Sequence, residues 1–218
     1  MEGILVFGAG GHAKAVIDVI EQSGRYEVIG ILDSYKAPGT KVYGYEVLGN
    51  EQYIAENKEN IYGGIVAIGD NWRRSEMVSR IRSLHRDFSF IPVVHPSASV
   101  ARGSVIGKGS VVMAGAVVGS DTHIGEHCIL YSKASVDHDS TLGDYVTLAP
   151  NATTGGDVHI GSYSVISLGA NVIHSKNIGE HTVIGAGSTV LSDIDAYSLA
   201  YGTPARKVRS RLEGERYL

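Results

Sequence analysis

The sequence predicts two parts: an α/β nucleotide-binding unit over residues 1–93 and a parallel β-helix of hexapeptide repeats over 94–218. Three observations carry this expectation. Counting in sixes from Val100 to Val190 meets sixteen positions, fifteen of them aliphatic, with Thr154 the single break. The position two before each is small or β-branched almost throughout, as at Ala98, Ser104, Ser110, Ala116, Thr122 and Cys128, and Gly often follows, as in Ile106-Gly107 and Ile178-Gly179. Upstream, short apolar runs alternate with helical patterns, the first run leading into GAGGHA. A period of six over ninety residues belongs neither to a helix (period 3.6) nor to a simple alternating strand, and marks stacked hexapeptide coils.

In the first part, Ile4 to Phe7 reads as a strand and GAGGHA as the turn after it. Ala15, Val16, Val19 and Ile20 fall on one side of a helix that Gly24 closes. Tyr26 to Leu32 is a second strand ending at Asp33, and Pro38-Gly39 marks a loop. A weaker helix is expected over 50–58 and a third strand over Gly64 to Ile68. Asn71 is expected to cap a helix running to Leu84. Phe88 to Val94 is expected as a last strand. Strands alternating with helices imply a parallel sheet with right-handed crossovers. About ninety residues make half of a dinucleotide-binding fold, room for one nucleotide, so NAD is the weaker ligand expectation.

From 97 to 193, three hexapeptides should make one triangular turn. Positions eighteen apart then stack at roughly 4.8 Å, the strand spacing, with the aliphatic column inward. Sixteen hexads give about five turns. The tail, with Gly202 to Arg206 (GTPAR) and the basic Arg206, Lys207, Arg209 and Arg211, is expected to cap the open end with a strand and a short helix.

Composition narrows the function classes. With 43% hydrophobic and 19% charged residues the balance is that of a globular protein. A net charge of −4 gives no general attraction to nucleic acid. Cys128 is the only cysteine, so no disulfide framework is available, and its place in the small-residue column reads as a packed thiol. No apolar run approaches the ~18 residues of a membrane span, and the N-terminus carries no signal-peptide pattern. No membrane or nucleic-acid partner is expected, and the expected compartment is the cytoplasm.

Two groups of residues point to chemistry. Gly8, Gly10 and Ala13 form G-x-G-x-x-A, where glycine allows a tight turn and the helix N-terminus offers free N–H groups to phosphate. Asp33, at the end of the next strand, suits a ribose hydroxyl or a base. The second group centres on His138 in SVDHDS, one of six histidines between 123 and 181. It sits at a prism edge between Asp137 and Asp139, and a carboxylate beside imidazole suits a general base. Gly156 falls one turn along the same edge, where its N–H could serve a developing oxyanion. His174 falls two turns along and is expected to line a channel or face solvent.

The coil, the GAGGHA unit, the SVDHDS histidine and the terminal GTPAR together resemble bacterial nucleotide-sugar N-acetyltransferases of the bacillosamine-pathway type, across essentially the whole chain. Sialic acid O-acetyltransferases are similar in the same order of parts. The resemblance implies a left-handed β-helix, a homotrimer, and acetyl-CoA as co-substrate lying between adjacent coils, with no metal. It implies that His138 deprotonates the acceptor amine, that Asp139, where relatives usually carry Glu, orients the ring, and that Gly156 polarises the thioester carbonyl. Some relatives carry a second histidine nine residues later; here that place is Thr147. Leu168 and Ala186 match positions facing the pantetheine arm, and Arg206 and Lys207 suit the CoA phosphates. The pyrophosphate of the nucleotide sugar is implied to meet Gly10 and Gly11, with His12 near the sugar, Asp33 near uridine, and Gly69 at the same sheet edge.

The acceptor implied is a UDP-linked 4-amino-4,6-dideoxy sugar, acetylated by direct transfer. O-acetylation of sialic acid or another polysaccharide precursor keeps the mechanism and changes the acceptor. A zinc hydratase built from His123, His127, His159, His174 and His181 leaves the nucleotide unit unexplained. A non-catalytic nucleotide-sugar-binding module leaves His138 and its carboxylates unexplained.

Overall fold

The structure, a computed structural model, describes residues 1–217. Strand β1 (Glu2–Phe7) leads through GAG into helix α1 (Gly11–Ser23), then β2 (Tyr26–Leu32), β3 (Lys41–Val42) and β4 (Tyr45–Gly49). Short helix α2 (Tyr53–Asn57), β5 (Gly63–Val66) and α3 (Asn71–Leu84) complete the α/β unit. Its sheet has the order β3-β4-β2-β1-β5, with β1 parallel to both β2 and β5. Helix α1 forms because Ala13, Val16, Ile17 and Ile20 recur on one face, all buried, and it stops where Gly24 takes the left-handed conformation at φ 62°.

Three expectations for the α/β unit need correction. The helix expected over 50–58 is one turn of α-helix followed by a 3₁₀ turn. The cap of α3 is Asp70, whose carboxylate accepts from Arg73 N–H, while Asn71 lies inside the helix and buried. The strand expected over 88–94 is divided: Phe90 makes one bridge to Gly64 in the α/β sheet, and Val93–Val94 (β6) pairs with Val111–Val112 in the coil. The chain leaves one sheet and enters the other within three residues, so a single strand cannot form. The hairpin β3–β4 was not anticipated, because two residues of strand carry no readable alternation.

The coil is sixteen two-residue strands, β7 (Ser99–Val100) to β22 (Thr189–Val190). Each pairs in parallel with the strand eighteen residues away, as Ser135 does with Val117 and Thr153. They form three faces, here named for a member strand: the β13 face, the β14 face and the β12 face. Isolated two-residue strands have no stability of their own. The inward column from Val112 to Val190 supplies it as one continuous apolar core, each fully buried aliphatic contributing about 1.5–3 kcal/mol. Val100, at 40% exposure, and the partly buried Ile106 are the exceptions, because the first turn has no full turn beneath it.

The α/β unit covers the β12 face. The outward residues there, Val111, Ile129, Thr147, Val165 and Val183, are all buried, whereas His123, Thr141, His159 and Asn177 on the β14 face are exposed. The tail forms an antiparallel hairpin, β23 (Ser198–Gly202) and β24 (Ala205–Ser210), on the end of the β12 face. This replaces the short helix expected there: backbone pairing with Val183–Ile184 is available to an extended chain and not to a helix. Among the described residues no helix is long and apolar enough to cross a membrane.

The break in the column is explained by neither packing nor bonding, since the Thr154 hydroxyl is buried and has no hydrogen-bond partner among the described residues. Thr154→Val removes that cost. The expected outcome is a gain of about 1 kcal/mol, read as a higher Tm with unchanged far-UV circular dichroism.

Candidate active site

The first cluster lies at the carboxyl ends of β1, β2 and β5. Gly8 turns the chain at φ +106°, and a Cβ there would meet the Ala67 carbonyl oxygen at 3.1 Å. Gly10 and Gly11 open α1, and a Cβ on either would meet nothing within 4 Å. The N-cap makes no side-chain hydrogen bond and the first turn holds no acidic residue, so N–H groups and dipole face an open space suited to phosphate. Asp33 organises this turn: one carboxylate oxygen accepts from Ala9 N–H at 2.9 Å, the other from Tyr35 and Lys36 N–H at 2.8 and 2.9 Å. Beyond it a cavity of about 330 Å³ is lined by Ser34, Lys36, Pro38, Gln52, Tyr53 and Glu56 among others. Another surface cavity, about 510 Å³, is lined by Lys58, Leu84 and Ser89 among others and holds none of these residues.

His12 follows the turn and is held by the coil. Tyr131 Oη lies 3.1 Å from its Nδ1, while its Nε2 is buried without a partner among the described residues. Burial, with a smaller push from Arg74, takes the His12 pKa down to about 3, so the ring is neutral. Gly69 sits beside the same tyrosine, a Cβ there lying 3.6 Å from the Tyr131 hydroxyl.

Beneath this cluster Arg74 is 1% exposed, and no carboxylate pairs with it among the described residues. Its guanidinium donates to the carbonyls of His127 (2.8 Å), Ile68 and Gly69 (both 2.9 Å) and Tyr145 (3.1 Å), and to Asn71 Oδ1 (2.7 Å). Thr147 joins through a 2.6 Å bond to Asn71 Oδ1, so it belongs to the joint between the two parts. Neither Arg74 nor Tyr131 was anticipated. Tyr131 left a faint signal, since half of the hexads carry glycine where it stands; Arg74 left none, being one of several arginines on α3.

The second cluster lies on the edge between the β13 and β14 faces, the one prism edge that does not border the covered face. His138 Nδ1 is 2.7 Å from Asp139 Oδ2, and Asp137 Oδ1 accepts from the His138 N–H at 2.8 Å. Asp139 lies at φ 57°, the left-handed corner that turns its carboxylate back onto the preceding ring. The hydrogen bond to Asp139, with the charges of Asp137 and Asp157, raises the His138 pKa above its ordinary value. Gly156 stacks on this ring, a Cβ there falling 2.5 Å from His138 Cε1. The Gly156 N–H donates to no backbone acceptor among the described residues, whereas Asp157 N–H donates to His138 O at 2.8 Å.

The remaining expected residues stand apart from both clusters. His174 is exposed on the His138 edge. Leu168 and Ala186 are stacked and exposed on the edge between the β12 and β13 faces, linked by Gly187 N–H to Leu168 O at 2.8 Å. Arg206 and Lys207 are exposed on β24. Cys128 is fully buried, its pKa pushed by burial to about 12, so no thiolate forms there.

The contact with Gly156 gives a direct check. Gly156→Ala places a methyl group where the His138 ring lies. The expected outcome is an intact coil, a ring displaced from Asp139, and an imidazole that titrates closer to its ordinary value in an NMR pH series.

The PglD N-terminal domain family model matches residues 3–81, and the bacterial transferase hexapeptide (six repeats) model matches residues 103–138. No curated protein sequence gives a significant match. Among solved structures, a histidine-to-alanine variant of GDP-perosamine N-acetyltransferase from Caulobacter crescentus, in complex with CoA and GDP-perosamine, is 34% identical. The match covers 95% of this chain and 97% of that one, with a TM-score of 0.89. The acetyltransferase domain of PglB from Neisseria gonorrhoeae, in complex with acetyl coenzyme A, is 30% identical over 95% and 99% of the two chains, TM-score 0.87. WeeI from Acinetobacter baumannii is 25% identical over 94% and 100%, TM-score 0.82. With this identity running through both the α/β unit and the coil, the chain belongs to the left-handed β-helix family of bacterial nucleotide-sugar N-acetyltransferases, enzymes that take their acetyl group from acetyl-CoA.

Proposed function

We propose that this enzyme acetylates the amine of a nucleoside-diphosphate-linked 4-amino-4,6-dideoxy sugar by direct transfer, with His138 as general base. The observation that carries the reading is the His138–Asp139 pair stacked on Gly156. The Caulobacter relative's structure with GDP-perosamine and CoA supports the substrate class. The nucleotide's diphosphate would meet the free N–H groups at Gly10 and Gly11, and its base the cavity beyond Asp33. The sugar would lie against His12, Gly69 and Tyr131.

One chain does not bring its own His138 to that sugar, because the α/β unit covers the face opposite the His138 edge. The site therefore forms between copies, in a homotrimer as the fold family favours. His138 and Gly156 of one copy would meet the acceptor seat of the next, together with the edge carrying Leu168 and Ala186. The pantetheine arm would run along that edge, with Arg206 and Lys207 reaching the CoA phosphates.

In the transfer, the amine lone pair attacks the thioester carbon. The N–C bond forms, the C–S bond breaks, and CoA leaves as thiolate to take up a proton. The His138 Nε2 accepts the amine proton, and the Gly156 N–H stabilises the oxyanion. Asp139 keeps Nε2 aimed outward by bonding Nδ1. Holding both substrates in reach supplies much of the acceleration.

Purified enzyme with acetyl-CoA and a panel of GDP-perosamine, UDP-4-amino-4,6-dideoxy-glucosamine and sialic acid tests this, with CoA thiol release as the readout. Turnover with a nucleotide 4-amino sugar is expected, falling about 10²–10⁴-fold in His138→Ala; turnover only with sialic acid would overturn the acceptor. Since the base must be neutral and its pKa is raised, kcat/KM falls as pH drops through that raised value. Asp139→Asn removes the main cause, so the acid-side inflection moves to lower pH while the rate declines. Gly10→Ala meets no protein atom, so Tm holds while affinity for the nucleotide sugar drops in calorimetry.

A further inference from the structure

The segment after β24 doubles back from the end of the coil to the ligand edge of the α/β sheet, and a series of contacts fixes its path. Arg211 N–H donates to Tyr197 O at 2.8 Å. Glu215 accepts from Leu212 N–H at 3.0 Å and from Arg209 Nη1 at 3.1 Å, and its carbonyl accepts from Arg211 Nη2. Gly214, at φ +69°, passes so close to Trp72 that a Cβ would lie 3.1 Å from the indole nitrogen. Beyond it the Tyr217 hydroxyl donates to the Gly69 carbonyl at 2.8 Å.

That carbonyl is the hinge of the acceptor seat. Arg74 Nη1 donates to it at 2.9 Å, and Gly69 itself lies against Tyr131, the partner of His12. A buried polar atom without a partner costs free energy unless a ligand satisfies it, and His12 Nε2 is such an atom. A sugar hydroxyl is the chemistry that fits a neutral ring nitrogen beside the Tyr131 phenol. Burial pushes the Tyr217 pKa to about 12, so its hydroxyl keeps the proton it donates.

We infer, resting on the acceptor reading above, that Tyr217 is a positioning residue for the acceptor sugar: with Arg74 it fixes the Gly69 carbonyl from two sides and so holds the loop that walls the sugar against His12 and Tyr131. The base cavity beyond Asp33 is lined by none of these residues. Tyr217 is therefore assigned to the sugar and not to the nucleotide's base.

Trp72 is the only tryptophan, so its fluorescence reports whether the tail is docked. The experiment compares wild type, Tyr217→Phe and Gly214→Val in steady-state kinetics with GDP-perosamine and its UDP counterpart, in calorimetry with GDP and UDP, and in Trp72 emission. Tyr217→Phe is expected to raise the KM for the nucleotide sugar about tenfold, the size of one lost hydrogen bond. KM for acetyl-CoA, nucleoside diphosphate affinity and emission should stay at wild-type values. Gly214→Val should show the same KM rise with red-shifted emission. An active Tyr217→Phe enzyme with unchanged acceptor KM, or with both KM values raised alike, overturns this inference and leaves the acceptor reading standing. A wild-type enzyme without turnover on any nucleotide sugar overturns both.

Discussion

Everything in this protein depends on the register of eighteen. Because each residue of the coil lies above the one eighteen positions earlier, every sixth residue is forced into a corner with left-handed backbone, as at Asp121, His127, Lys133, Asp139, Tyr145 and Asn151. For residues other than glycine such a conformation costs about 1–2 kcal/mol, and the column returns it through what the corners can stack. On one edge they form a ladder, His127, Tyr145, Tyr163, His181 and Tyr197, with centroids 4.6 to 5.3 Å apart. Trp72 of α3 packs on its upper rungs. On the edge between the β13 and β14 faces the same corner swings Asp139 onto His138. The docking of the α/β unit and the histidine–aspartate pair are two outcomes of one backbone rule.

Arg74 makes the two parts a single object. Burying a guanidinium without a counter-ion costs several kcal/mol, and this one is accepted because each of its nitrogens finds a carbonyl or amide oxygen. Those oxygens belong to the β5–α3 loop, to α3 and to coil corners. The loop bearing Gly69 is therefore referenced to the coil and not only to its own sheet. The same charge helps keep His12 neutral.

The inward column was legible because one residue type recurs at one period, and the place of Cys128 in the small-residue column two positions before it was legible for the same reason. His138 and Gly156 were legible as a pair once the period was known, since 138 and 156 differ by eighteen. Other features were hidden because they depend on partners far away in sequence. Phe88 to Val94 reads as one strand, yet its two ends belong to different sheets. Asp70 and Asn71 are both good caps, and the choice between them was made by Thr147, Tyr163 and Ser164, which draw the Asn71 side chain inward. The covered face did leave a trace: Val111, Ile129, Thr147, Val165 and Val183 are less polar than the outward residues of the β14 face.

A parallel coil offers, at each end, a row of unpaired backbone groups spaced for another copy of itself. Stacked end on end, such coils would grow without limit, as cross-β fibrils do. At the C-terminal end of the β12 face the hairpin opposes this. It reverses direction, so the outermost strand β24 runs antiparallel to its neighbour β23. It also carries Arg206, Lys207 and Arg209 outward. A coil approaching that face meets a basic strand of the wrong polarity for parallel stacking.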